Sequence, residues 1–178
     1  MKNILLLLCF FAGFSFIQAQ EQYNDSKGFS AGFAPVYLTE IESIGGSVDL
    51  LYQIDQKWSF GNTTLFTVNE LPNKERLKWF TTDLNARYKV YDEFYMLAGG
   101  QYLYQTLIEK TYIGGFESGE QVVKDSNFGA NIGAGYIYHL LSNVNIFAEI
   151  KYTLLADESV PVASSGYMQA RIGMVFDL

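Results

Sequence analysis

Apolar and polar residues alternate along most of this chain with a period of two, the signature of strands with one greasy face and one polar face. Eight such blocks stand out: Gly28–Leu38, Ile44–Ile54, Trp58–Val68, Lys78–Val90, Phe94–Thr111, Asn127–His139, Val144–Leu154 and Gly166–Leu178. In the last block Met168, Ala170, Ile172, Met174, Phe176 and Leu178 share one face, and Gln169, Arg171, Gly173, Val175 and Asp177 the other. The seventh sets Val144, Ile146, Ala148, Ile150 and Tyr152 against Asn145, Phe147, Glu149, Lys151 and Thr153. No stretch after residue 20 sustains a helical period.

The links between blocks alternate in length. Asp55-Gln56, Tyr91-Asp92-Glu93 and Ser142-Asn143 are tight turns, while Thr39–Ser43, Asn69–Leu77, Tyr112–Ser126 and Leu155–Ser165 are longer. Short turns at one end and long loops at the other are the pattern of outer-membrane barrels. The prediction is an all-β fold: an eight-stranded, antiparallel, up-and-down transmembrane β-barrel with both chain ends on the short-turn, periplasmic side. The blocks occupy one domain, 20–178, with no second module expected after Leu178.

Alternation alone does not say which face points inward. A soluble barrel of the lipocalin kind turns its apolar face in; a membrane barrel turns it out. The interior of eight strands is only wide enough to be filled by side chains. The apolar face carries Phe, Tyr, Leu and Ile in nearly every block, which is too bulky for that space. The opposite face, read as Gly, Ser, Thr, Asn and a few charges, fits. The bulky face is therefore expected to meet lipid. Aromatics near block ends, among them Trp58, Phe60, Tyr88, Phe94, Tyr136 and Tyr138, agree with interfacial girdles.

The first residues belong to a different category. Lys2 precedes an apolar run from Ile4 to Phe16, and Gln18, Ala19 and Gln20 follow. That order is a signal peptide, 1–19, with cleavage after Ala19. The run is too short for a comfortable membrane helix. Its removal takes away Cys9, the one cysteine, and with it thiol chemistry and thiolate metal ligation. The balance is acidic, formal net charge −7, which argues against nucleic acid as a partner.

The Gln18-Ala19-Gln20 junction, the eight blocks, the glycine-rich Gly129–Tyr136 stretch and the terminal Met174–Leu178 resemble the small outer-membrane β-barrel proteins of the Bacteroidota, grouped as porin-family or OmpX/OmpA-like barrels. The resemblance covers the mature chain and implies fold and location in the cell outer membrane. It implies two partners, outer-membrane lipid and the barrel-insertion machinery that reads a strand-ending C-terminus; a Leu stands here where the final residue is usually Phe.

Eight charges fall on the polar face: Asp49, Asp83, Arg87, Lys89, Glu149, Lys151, Arg171 and Asp177. Acids and bases balance, and buried charges must find partners. The expectation is a paired network that plugs the bore, with Glu149 and Arg171 on adjacent strands as its central pair. The rival reading is a polar pathway, making the protein a narrow porin-like channel for ions or small solutes.

Enzymatic readings are weaker. His139 is the one histidine and lies three residues before a short turn, away from the outer-rim Ser159, Ser164 and Ser165. No clustered His or Cys supports a metal site, no loop pattern around Asp157-Glu158 supports calcium, and no glycine pair has phosphate-loop spacing. No catalytic residue, cofactor or metal is expected.

The fifth block is about twice the ~9–11 residues that a membrane strand needs. Glu120–Ser126 extends the sixth block upward, so the two predict a hairpin above the membrane turning through Gly114–Gly119. Its edges are candidates for pairing with a protein partner at Tyr112–Ser126. The function expected is a non-enzymatic outer-membrane protein serving envelope integrity or surface interaction. The alternatives are the narrow channel and a soluble periplasmic lipid-binding barrel.

Overall fold

The computed structural model describes residues 27–70, 75–113, 116–157 and 165–178, with backbone alone for 111–113 and 116–118. The expected signal segment, Cys9, Gly114-Gly115, Glu158, Ser159 and Ser164 lie outside the described residues.

Eight strands follow the eight blocks: β1 Gly28–Leu38, β2 Ser43–Gln53, β3 Trp58–Glu70, β4 Arg76–Tyr91, β5 Phe94–Ile113, β6 Phe116–Leu141, β7 Val144–Leu155 and β8 Gly166–Asp177. Each pairs antiparallel with its neighbours in sequence, and β1 closes on β8 from Ser30 against Asp177 to Leu38 against Gln169. The barrel leaves no sheet edge through its wall, which satisfies the backbone without water.

Register sets the tilt. One row of cross-strand partners runs Phe33, Val48, Thr64, Thr82, Tyr102, Phe128. Phe33 is five positions from Gly28 at the short-turn end of β1 (33 − 28), whereas Phe128 is thirteen from Leu141 at the same end of β6 (141 − 128). Rows perpendicular to the strands climb around the barrel, so the strands lean, as closure of eight requires.

The tight turns are made locally. The Asp55 carboxylate accepts hydrogen bonds from the Lys57 and Trp58 backbone N–H groups at 2.8 and 2.7 Å. The first of these bonds, then the second, holds that carboxyl below the usual aspartate range. Asp92 takes the left-handed conformation, φ 43°, that Asp tolerates in a turn.

One boundary needs correction. The β5–β6 ladder continues to Ile113 against Phe116, so Phe116–Gly119 belong to β6 rather than to a turn, and the connection is two residues long. Alternation is weak over Glu120–Ser126, where Val123 alone packs against the apolar cluster and the other positions of both faces are mostly polar.

The two faces differ as the volume argument requires. Phe128, Leu84, Ile132, Phe66 and Ile172 are among the exposed large side chains on the outer wall, while Arg171, Glu149, Asp49 and Lys151 are buried inside. The inner face is nevertheless less polar than expected. Trp79, Leu38, Leu77, Leu103 and Leu65 point inward and are sealed from solvent at the long-loop end.

Candidate functional site

The bore is filled in layers from the long-loop end downward. Val36 and Leu38 of β1, Leu65 of β3, Leu77 and Trp79 of β4, Leu103 and Leu107 of β5 and Tyr167 of β8 form an apolar cap with Ile41 of the first long link. The Trp79 and Tyr167 rings meet edge to face, centroids 5.1 Å apart. Beneath them Tyr167, Gln101, Gln169, Thr153, Asn131 and Asn85 form a chain of neutral hydrogen bonds, including Thr153 Oγ1 to Asn131 Oδ1 at 2.8 Å and Asn131 Nδ2 to Asn85 Oδ1 at 3.1 Å. These side chains fall on inward positions of β4 to β8 solely through strand parity.

Charge begins beside this hydrogen-bonded chain, with Asp83 paired to Gln101 across the β4–β5 ladder. Lys151 of β7 pairs with Asp83 of β4 across the bore. Below that pair Arg171 of β8 sits between two carboxylates. Its Nη1 donates to Asp49 Oδ1 and Oδ2 at 2.7 and 2.9 Å, and its Nε donates to Glu149 Oε1 at 2.7 Å. Arg87 of β4 lies 3.2 Å from Glu149 Oε2 and 3.8 Å from Asp49 Oδ1. Thr63 donates to Asp49 at 2.6 Å and Tyr95 to Glu149 at 2.8 Å. The Arg87 guanidinium lies over the Tyr95 ring at 5.2 Å, and Arg171 over Phe147 at 5.0 Å. Two acids and two bases thus neutralise each other, and one hydroxyl donates to each carboxylate, which favours ions held in a buried site. Arg87 Nε is buried without a hydrogen-bond partner among the described residues.

The short-turn mouth carries a third polar group. Glu93 of the β4–β5 turn accepts from His139 Nε2 at 3.0 Å and lies 3.5 Å from Lys89. His139 Nδ1 contacts Asn145, which donates to Asp177 Oδ2 at 3.0 Å, and Ser30 donates to Asp177 Oδ1 at 2.7 Å. The hydrogen bond from His139, aided by its charge and by Lys89, holds the Glu93 carboxyl below the ordinary glutamate range.

Of the eight charges singled out in the sequence, Asp49, Arg87, Glu149 and Arg171 come together in one cluster, and Asp83 pairs with Lys151. Lys89 and Asp177 are at the mouth instead, joined to the wall there rather than to the cluster. Sequence reasoning missed Tyr95, Thr63 and the apolar cap. Extending the inward parity of β4 upward from Asp83 through Thr81 reaches Trp79 and Leu77, a signal present in the alternation itself. Among the described residues no group of three or more His, Cys, Asp or Glu is placed to hold a metal.

The sequence matches no family model and no curated protein. Solved structures do share the fold. A major outer membrane protein from Thermus thermophilus superposes with TM-score 0.71 at 12% identity, covering 86% of this chain and 100% of that one. The N-terminal β-barrel domain of Pseudomonas aeruginosa OprF gives 0.62 at 12%, covering 87% and 100%. Ail, the attachment invasion locus protein of Yersinia pestis, gives 0.56 at 14%, covering 87% and 99%. The architecture is that of small outer-membrane barrels. At these identities the likeness speaks for the fold, and the charged bore has to be interpreted from its own geometry.

Proposed function

We propose that this chain is exported by its first 19 residues and inserted in the outer membrane as a closed, non-conducting barrel of the OmpX/OmpA-like kind seen in the Bacteroidota, serving envelope integrity or surface interaction. The observation that carries this reading is the filled interior. An apolar cap lies over a neutral hydrogen-bonded layer, which lies over the Asp49–Arg171–Glu149–Arg87 cluster. A hydrated ion entering that path has to displace Trp79 and break buried charge pairs.

A barrel that does not transport acts through its outer surfaces. The β5–β6 ribbon supports this. β4 pairs β5 only as far as Arg76 against Ile108, and β7 pairs β6 only as far as Leu155 against Gly129, so the ribbon rises beyond both neighbours. The Phe128 carbonyl accepts from Ala156 on the β7 side. Strand parity then directs the backbone groups of Val122 and Lys124 to that same side, where no strand among the described residues covers them. This edge fits an extended segment of a protein partner.

Planar-bilayer recording of the purified barrel tests the reading. The expected record is a flat baseline; steady unit openings overturn it in favour of the narrow channel. Deleting Ile113–Val122 is expected to leave the barrel folded and to abolish partner binding.

A further inference from the structure

Resting on the outer-membrane reading above, we infer that the outward face of β4, β5 and β6 above the apolar band binds the phosphorylated headgroup of an outer-leaflet lipid, through Lys78 and Lys124 on either side of Thr106. The three residues share one row of the sheet: Lys78 pairs with Thr106, and Thr106 pairs with Lys124. All three point away from the bore, since Trp79, Gln105 and Leu107 beside them are buried inside. Both lysines are exposed.

The height is right for a headgroup. Lys78 is ten residues above Tyr88 (88 − 78), whose ring packs on Trp58 at 4.8 Å at the short-turn end. Ten residues along a strand leaning at ~40° rise ~25 Å, the height of the apolar band of such barrels. Immediately below, Phe80 pairs with Tyr104, and the Tyr102 and Phe128 rings meet at 5.2 Å, as an interfacial girdle does.

Spacing and charge agree. Two strand separations put the Lys78 and Lys124 backbones ~10 Å apart. Flexible lysine stems reach a shared anion from that distance, and the Thr106 hydroxyl lies between them as a further donor. Arg87, Lys89, Lys151 and Arg171 are engaged in or at the mouth of the bore, and Lys27 and Lys57 belong to the short-turn end. The remaining described cations, Arg76, Lys78, Lys110 and Lys124, all lie toward the long-loop end of β4, β5 and β6 in an acidic protein. Arg76 is drawn to Glu70 at 3.6 Å, whereas no ion pair among the described residues engages Lys78 or Lys124.

The test is native mass spectrometry of the full barrel released from detergent micelles containing a bis-phosphorylated glucosamine-disaccharide lipid, the same lipid dephosphorylated, or phosphatidylcholine. Retention is expected for the phosphorylated lipid alone. It should weaken about thirtyfold in Lys78→Gln/Lys124→Gln, from two near-surface lysines, and weaken with added salt. The equal-charge control Lys27→Gln/Lys57→Gln should retain the lipid, and inorganic phosphate should not displace it. Equal retention of phosphorylated and dephosphorylated lipid, equal loss in both double variants, or displacement by inorganic phosphate overturns the site. Should the double variant fail to fold, salt dependence of wild-type retention decides alone, with an unchanged signal against the site. The heat-dependent gel shift of each sample is a separate readout: its absence in the wild type contradicts the membrane-barrel reading rather than the headgroup site.

Discussion

Arg171 reaches past a whole strand to Asp49: β1 lies between β8 and β2, yet Arg171 Nη1 is 2.7 and 2.9 Å from the two Asp49 carboxylate oxygens. The same guanidinium holds Glu149 on the adjacent strand. One side chain therefore ties β2, β7 and β8 across the bore.

Removing it leaves two buried carboxylates, Asp49 and Glu149, with Arg87 as their one remaining cation. Arg171→Leu is expected to destabilise the barrel by about 3–5 kcal/mol. Lys89→Leu at the part-exposed mouth should change stability by less than about 1 kcal/mol. Urea unfolding in lipid vesicles measures both, and equal effects contradict a buried network.

How much of this was legible in the sequence follows from what period two can encode. Parity assigns every residue to a face, so the inward charges and the eight strands could be read directly. Glu149 beside Arg171 was legible because their strands are neighbours in sequence. Asp49 beside Arg171 was not, since that contact depends on closure and register, which no local pattern carries. Trp79 and Leu77 were hidden by their bulk: large apolar residues suit the lipid face, although the parity of β4 puts these two inside. The extent of β6 was hidden for another reason: with little beyond Val123 packed inward, its upper half has little alternation to show.

Glycines separate the two faces in a way that substitution can read. A Cβ added at Gly135 would collide with the Tyr95 ring, the group that donates to Glu149, whereas one added at Gly46 would meet nothing within 4 Å. Gly135→Val should lower folding yield and the urea midpoint, and Gly46→Ala should leave both near wild type. Heat-shift gels after refolding check this.

The mouth gives a pH signature. The folded Glu93 carboxyl is held below its ordinary range by His139 and Lys89, so its contribution to stability is fully present above ~4.3 and is lost as pH falls through the lower folded value. Glu93→Gln should flatten the acid limb of the stability profile below that pH. An unaltered acid limb contradicts the assignment.

The orientation of the two faces is tested most directly by the chain's two tryptophans, Trp58 exposed on the outer wall and Trp79 fully buried in the bore. Single-tryptophan variants, Trp79→Phe and Trp58→Phe, refolded into vesicles of lipids brominated near the headgroup or along the chain, report contact with lipid through quenching. The account predicts that Trp58 is quenched and Trp79 is not; quenching of Trp79 with Trp58 spared would contradict it.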